Sequence, residues 1–166
     1  MLKNVIKKIC EKPLGHLTAI CARPGDGRRN FSIELANELA MQGFSVCYCS
    51  ITRTKKYLQN KLLPDVHIVS VFPKCSNFAL KTREQGSVVI VDDLSAFVLQ
   101  EGLKEAPVGS YDKAKIKTEL MQKIREFAIQ SGRQTIVTDT FAHASNTDSM
   151  LPIPKEALSF CDRAYI

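Results

Sequence analysis

The sequence predicts an α/β domain, in which a mostly parallel, twisted sheet carries helices on both faces. Two observations lead to this prediction: short apolar runs alternate with segments of helical spacing, and hairpin signals are few. The chain has 166 residues, of which 45% are hydrophobic, and is long enough for one domain with a sizeable core. We therefore expect an amphipathic N-terminal helix over residues 1–13 and a single domain over residues 14–166.

The elements follow one another in a regular order. Apolar residues at helical spacing predict a first helix that ends before Pro13 and whose apolar stripe covers the domain's own core or, alternatively, a second subunit. Strands are predicted at 17–22, 46–51, 66–72, 87–91, 134–138 and 161–166, and helices at 31–41, 53–63, 75–85 and 115–131. Residues 100–114 are expected to form the longest loop, and residues 142–154 a second one.

The turn between the first strand and the following helix has the layout of a phosphate-binding loop. It contains glycines and leads directly into the helix that begins at Phe31. Unpaired backbone N–H groups and the positive end of the helix dipole face such a turn, so it can cradle an anion. An ordinary glycine-rich turn with two solvated arginines is the alternative interpretation. The residues assigned to the cradle are Gly25, Asp26, Gly27, Arg28, Arg29 and Asn30.

Two positions of this turn differ from a working nucleotide loop. The pattern Gly-x-x-x-x-Gly-Lys-Ser/Thr uses its lysine on the β and γ phosphates and its hydroxyl on Mg²⁺. This chain has Arg28 and Arg29 at those places, and Asp26 adds a negative charge beside the intended anion. A guanidinium is a wide planar fork rather than a compact ammonium, and it cannot coordinate a metal ion. The pattern therefore predicts a nucleotide site with altered chemistry.

The same region resembles the motor domain of the DnaB-type replicative helicases, a family with the RecA-like P-loop NTPase fold. The most specific part of the likeness is Ala22-Arg23-Pro24 immediately before the loop glycine. Further segments that resemble the family's strands and its helix lie at 46–51, 88–94, 115–131, 134–139 and 161–166. The resemblance implies a RecA-like fold over residues 15–166, and it implies ATP or ADP with Mg²⁺ as the cofactor of a working member.

The resemblance also implies which residues would have to act. Carried onto this sequence, the family's catalytic glutamate falls on Thr52 and its sensor glutamine near Asp139, whereas the Walker B aspartate is kept as Asp92. Asp92, Asp93 and Asp139 are therefore the catalytic candidates, and Asp92 is the one that would orient Mg²⁺. Because the loop lysine, the hydroxyl and the glutamate are all replaced, we assign no firm cofactor and expect no efficient ATP hydrolysis.

The carboxyl ends of parallel strands form the ligand crevice of such sheets, and several charged residues are predicted to gather there. Arg28, Arg29 and Arg53 would face Asp92, Asp93 and Asp139. The alternative to a ligand site is a salt-bridged network in which these groups neutralise one another.

Charge is unevenly distributed along the chain. Residues 1–85 contain 14 Lys and Arg against 6 Asp and Glu, and residues 86–166 contain 9 against 11. A basic half fits nucleic acid, whose binding is driven largely by counterion release, although a solvated lysine-rich surface is the alternative. Single-stranded DNA or another nucleic acid, replication proteins and self-association are the expected partners.

The cysteines and the apolar runs indicate the compartment. Cys21, Cys47, Cys49, Cys75 and Cys161 mostly lie in or beside apolar runs, and no signal-peptide pattern precedes them. They are therefore expected to be reduced, buried thiols of a cytoplasmic protein. No run approaches the roughly 20 apolar residues that a membrane helix requires, so no membrane association is expected.

Three functions remain open from the sequence. The favoured one is a degenerate helicase-like domain that keeps phosphate or nucleic-acid binding in an accessory, replication-related role. The alternatives are an active ATP-dependent helicase or ATPase subunit with a variant loop, and an interaction scaffold that binds no nucleotide. Hydrolysis assays separate the first two, and only the scaffold shows no thermal shift with ATP, ADP or pyrophosphate.

Overall fold

The computed structural model of the chain describes residues 2–11, 16–22, 30–73, 87–106, 110–140 and 155–165. Its strands are β1 (Leu17–Ala22), β2 (Ser45–Cys49), β3 (His67–Val69), β4 (Ser87–Val91), β5 (Gln134–Thr140) and β6 (Arg163–Tyr165). Its helices are α1 (Leu2–Cys10), α2 (Phe31–Met41), α3 (Lys55–Lys61), α4 (Leu94–Glu105), α5 (Lys113–Ser131) and α6 (Lys155–Leu158). In these ranges the strands form one sheet of order β3-β2-β4-β5-β1-β6, and every neighbouring pair is parallel. The α/β fold class predicted from the sequence is confirmed.

The sheet separates two apolar layers. Because successive side chains of a strand point to opposite faces, Ala19 and Cys21 of β1 contact one layer and Ile20 contacts the other. Residues of α1, α2 and α3 fill the layer on the Ile20 side, and residues of α4, α5 and α6 fill the layer on the opposite side. Helices therefore cover both faces, as the sequence predicts.

The N-terminal helix α1 packs onto the domain itself. Val5 and Ile6 are buried in the same cluster as Leu35 and Leu39 of α2. Of the two partners considered for the apolar stripe, the domain's own core is the one that these two side chains contact.

The loop predicted for residues 100–114 is wrong in its first part, because α4 continues to Glu105. Leu94, Phe97 and Val98 are buried at helical spacing and fix the helix on the sheet. Gly102 lies inside the helix for a packing reason: a Cβ at this position would come within 2.3 Å of the ring of Tyr111. The glycine that indicated a loop is therefore the contact point between α4 and the segment before α5.

Other differences from the sequence prediction are smaller. β3 is shorter than the predicted strand at 66–72, and the short helix α6 before β6 was not predicted. The predicted helix at 75–85 and the predicted loop at 142–154 lie outside the described residues. None of the described helices is both long enough and apolar enough to cross a membrane.

Three of the described cysteines are buried thiols. Cys21, Cys47 and Cys49 lie in the sheet, and Cys161 is half-buried before β6. Burial is the main cause that raises the pKa of Cys21 to about 11 and that of Cys161 to about 12. Thiols with such a pKa are poor nucleophiles at neutral pH, so these residues act as core side chains. Cys75 lies outside the described residues.

Candidate functional site at the carboxyl edge of the sheet

Asp92 follows β4 directly, is only 5% exposed and is surrounded by donors. Its Oδ1 accepts hydrogen bonds from Ser32 Oγ at 2.8 Å and Thr138 Oγ1 at 3.3 Å. Its Oδ2 accepts from Ser50 Oγ and from Arg53 Nε, both at 3.2 Å. Three hydroxyl groups and one guanidinium therefore satisfy the carboxylate within the chain.

The fold brings these donors together from separate segments. Ser32 lies in the first turn of α2, Ser50 and Arg53 follow β2, and Thr138 lies on β5, which pairs with β4. Since the strands are parallel, their carboxyl ends meet at one edge, where the sequence placed the candidate site. The backbone N–H of Asp92 donates to Cys49 O at 2.8 Å and extends the β2–β4 ladder to this point.

Tyr48 contacts the Asp92 network through Ser32. Its hydroxyl lies 2.7 Å from Ser32 Oγ, and the whole side chain is buried. Burial, followed by the nearby charge of Asp92, raises the pKa of Tyr48 well above its usual range. The tyrosine therefore stays neutral and fixes the hydroxyl of Ser32.

Asp93 has a strained backbone and an unsatisfied carboxyl oxygen. Its φ of 62° lies in the left-handed region, which residues other than glycine seldom adopt. Its N–H donates to Thr138 Oγ1 at 3.2 Å, while its buried Oδ1 has no hydrogen-bond partner among the described residues. Burial is the largest cause that raises the pKa of Asp93, and the charges of Asp139 and Asp92 add to it.

Asp139 is paired with a lysine that the sequence analysis did not single out. Its Oδ2 lies 2.6 Å from Lys117 Nζ, and its Oδ1 accepts the N–H of Ser95 at 3.2 Å. Lys117 also donates to Ser95 Oγ at 3.0 Å. Asp139 is 1% exposed, so this is a buried ion pair that ties α5 to the start of α4 and to β5.

A signal for Lys117 was present in the sequence. The buried side chains of α5 include Leu120, Met121 and Ile124, which lie three, four and seven residues after Lys117. A lysine on the buried stripe of an amphipathic helix needs a carboxylate partner in the core. Asp139, at the end of the next strand, lies at the buried edge that such a lysine could reach.

The structure brings together part of the predicted set. Asp92, Asp93 and Asp139 share one edge, and the predicted contact between Arg53 and Asp92 is present. Asn30 precedes α2, but its side chain makes no capping bond; its Oδ1 accepts from Tyr57 Oη at 3.4 Å. The remaining cradle residues, Gly25, Asp26, Gly27, Arg28 and Arg29, lie outside the described residues.

The described residues around Asp92 do not fit a Mg²⁺ ion bound directly by its carboxylate. Mg²⁺ requires oxygen ligands with free lone pairs in an octahedral arrangement. The guanidinium of Arg53 instead lies 3.2 Å from Oδ2, and Thr52, at the position of the family's glutamate, offers a hydroxyl 3.3 Å from Ser50 Oγ. Within the described ranges, no group of three or more His, Cys, Asp and Glu residues is arranged as a metal site.

Comparison with solved structures identifies the architecture. One solved ATPase domain superposes with a TM-score of 0.62 at 11% identity, covering 92% of this chain and 69% of that one. A DnaB-like replicative helicase, described together with its interactions with primase, gives 0.61 at 11% identity, covering 98% and 56%. The chain has the fold of a DnaB-type helicase ATPase domain. The resemblance noted in the sequence is confirmed at the level of the fold.

Two further comparisons, made with the sequence alone, found nothing. No protein-family model matches the chain, and a search of curated proteins finds no match. The chain spans little more than half the length of the DnaB-like helicase, so the activity of that larger protein does not transfer with the fold.

Proposed function

We propose that the chain is a helicase-like domain that does not hydrolyse ATP efficiently and acts as an accessory phosphate- or nucleic-acid-binding module in DNA replication. One observation carries the first half of the proposal. Asp92, the only hydrolytic residue that keeps its expected identity, is neutralised by Arg53 and saturated by three hydroxyl groups. A carboxylate in this state is not available to orient Mg²⁺ and its water ligands.

The sequence supports the same conclusion at independent positions. Arg28 and Arg29 replace the lysine and the hydroxyl of the loop, and Thr52 replaces the glutamate that would activate water. Phosphoryl transfer depends on positioning and on charge stabilisation by several groups at once, so replacing them together removes most of the rate. Repair of one position alone is not expected to restore turnover.

The binding half of the proposal depends on charge. The first 85 residues carry the excess of basic groups, and Asn30, the residue before α2, makes no side-chain capping bond to the helix. Both features favour polyphosphate or nucleic-acid backbones as ligands. A replication protein or a second copy of the chain is the proposed protein partner, and the buried thiols of Cys21, Cys47 and Cys49 fit the reducing cytoplasm.

Phosphate release from ATP, measured with and without Mg²⁺ and single-stranded DNA, tests the first half. The purified chain is expected to remain at background under every condition, and Asp92→Asn serves as the control for contaminating activity. Fluorescent ATP and ADP titrations should show that any nucleotide binding is independent of Mg²⁺. Robust metal-dependent turnover that Asp92→Asn abolishes would contradict the proposal.

An active ATPase with a variant loop is the second candidate, and Asp93 is the observation that favours it. A half-buried carboxyl with a raised pKa and an unpartnered buried oxygen is a candidate general base. If the chain hydrolyses ATP in this way, Asp93→Asn should abolish turnover as completely as Asp92→Asn. Turnover that survives Asp93→Asn removes this candidate.

A further inference from the structure

Helix α3 and the turn before it form a surface with an unusual charge pattern. Four basic residues and no acidic residue occur between positions 52 and 61: Arg53, Lys55, Lys56 and Lys61. Only Leu58 of α3 is buried. Within the described part of the chain, the three lysines make no ion pair, so their charges face solvent.

Three of the side chains stand in a row. Tyr57 and Lys61 are four residues apart within α3, a spacing that places them on one side of the helix about 6 Å apart, and Arg53 lies just before the N-cap Thr54. The guanidinium carbon of Arg53 lies over the ring of Tyr57, 5.8 Å from its centroid. We call these three residues the α3 row: a cation, an aromatic ring and a second cation.

The ring at the centre of the α3 row is both exposed and held in place. Tyr57 is 39% exposed, although it is a large aromatic residue. Its hydroxyl donates to Asn30 Oδ1 at 3.4 Å. Its backbone N–H donates at 3.2 Å to Oγ1 of Thr54, the N-cap residue of α3. A ring that is already oriented gives up little conformational freedom when a ligand stacks on it.

We propose that the α3 row and the flanking Lys56 bind single-stranded nucleic acid. Unstacked bases find a sequence-tolerant partner in an exposed aromatic ring, and lysines beside the ring contact the phosphates of the same strand. This inference depends on the nucleic-acid half of the proposed function and assigns it to a surface. The arrangement contains no group set to read a particular base, so little sequence preference is expected.

An acidic residue of α2 is placed to act against binding. Glu34 is exposed on α2, between Asn30, which accepts from Tyr57, and Asn37, whose amide donates to Lys61 O at 2.9 Å. It therefore shares the face of α2 that borders the α3 row. Its negative charge repels phosphates, so Glu34→Gln is expected to tighten binding by a few-fold.

Fluorescence anisotropy of labelled oligo-dT and oligo-rU strands, titrated with the full chain at several salt concentrations, tests the inference. Tyr57→Ala should weaken binding roughly tenfold, because the ring that stacks one base is removed. Tyr57→Phe keeps the ring and should stay within about twofold of the unchanged chain. Replacing Lys56 and Lys61 by Gln should lower the salt slope by about 0.7 for each lysine–phosphate pair that the change removes.

The matched control is a double change of Lys113 and Lys123 to Gln, which removes the same charge from exposed positions of α5 across the sheet. It should leave affinity within about twofold. If Tyr57→Ala binds like the unchanged chain, or if the control weakens binding as much as the Lys56 and Lys61 changes, the inference is wrong while the proposed function stands. If the unchanged chain binds neither strand, the nucleic-acid half of the proposed function fails as well.

Discussion

Two buried carboxylates at the same edge of the sheet are satisfied in different ways. Asp92 accepts from three hydroxyl groups and from Arg53, whose side chain is partly exposed. Asp139 is held by the closer ammonium of Lys117 and by the N–H of Ser95. The charge of Asp92 is balanced by donors from several elements, and that of Asp139 is balanced mainly by the ammonium of Lys117.

The two carboxylates therefore differ in how much they depend on one cation: Asp92 at the altered nucleotide site shares its charge among four donors, and Asp139 depends on Lys117. Four donors share the charge of Asp92, so three remain when a single one is removed. The charge of Asp139 is balanced by a short, buried ion pair, and a buried charge whose counter-ion is removed is strongly disfavoured. We therefore expect the two sites to respond unequally when each is deprived of its cation.

The largest effect is expected for Lys117→Met. This change leaves Asp139 buried beside an apolar side chain, and it should lower the free energy of unfolding by about 3–5 kcal/mol. Urea denaturation followed by circular dichroism measures it. Lys115→Met, at a position that is 72% exposed, is the control and should change stability by less than about 0.5 kcal/mol. A decrease below about 1 kcal/mol for Lys117→Met would refute the contrast.

Arg53→Met should have a smaller effect, about 1–2 kcal/mol, because Asp92 retains its three hydroxyl donors. The same variant removes the cation beside Oδ2 and should make nucleotide binding more sensitive to Mg²⁺ than in the unchanged chain. Urea titration and fluorescent-nucleotide binding with and without Mg²⁺ measure the two effects, and Lys56→Met is the control. Equal destabilisation by Arg53→Met and Lys117→Met would show that the two sites do not differ.

Tyr48→Phe tests the outer part of the Asp92 network. The hydroxyl of Ser32 is then no longer bonded to Tyr48 but keeps its bond to the carboxylate, so we expect a decrease in stability of about 1 kcal/mol. Tyr57→Phe removes an exposed hydroxyl and is the matched control, with a change below about 0.5 kcal/mol. Thermal or urea unfolding measures both, and identical values would argue against a network that reaches Tyr48.

Asp93→Asn should give the smallest change, and its size depends on pH. The folded chain raises the pKa of Asp93, so ionising this group opposes folding. The penalty is absent below the pKa that Asp93 has in the unfolded chain, grows as the pH rises, and is complete above its raised pKa in the folded chain. Asparagine also tolerates the left-handed backbone.

The Asp93→Asn variant is therefore expected to stabilise the chain at neutral pH by less than about 1 kcal/mol. The gain should disappear as the pH approaches the usual range of an aspartate. Urea midpoints of both proteins across this range measure it. A variant that is less stable than the unchanged chain at neutral pH would contradict the raised pKa.

The sequence was sufficient to predict the architecture and the edge at which the charged residues meet, but not all of their partners. Apolar strand runs and the Ala22-Arg23-Pro24 stretch led to the correct fold, because strand burial follows directly from local composition. Gly102 misled the prediction, since a glycine in a helix and a glycine in a loop look alike until Tyr111 is placed beside it. The partner of Asp139 was missed for a different reason: the burial of Lys117 on the α5 stripe was a signal, but the sequence does not say which carboxylate a buried lysine meets until the sheet and α5 are packed.

Arg53 takes part in both the Asp92 network and the α3 row. Its Nε lies 3.2 Å from Asp92 Oδ2 while its Cζ lies 5.8 Å from the centroid of the Tyr57 ring, so one side chain links the two sites. A phosphate at the sheet edge that draws Arg53 away from Tyr57 is therefore expected to weaken strand binding at α3, and thermodynamic reciprocity requires each ligand to weaken the other by the same factor. A single side chain would thus make the domain's affinity for a strand a sensor of nucleotide.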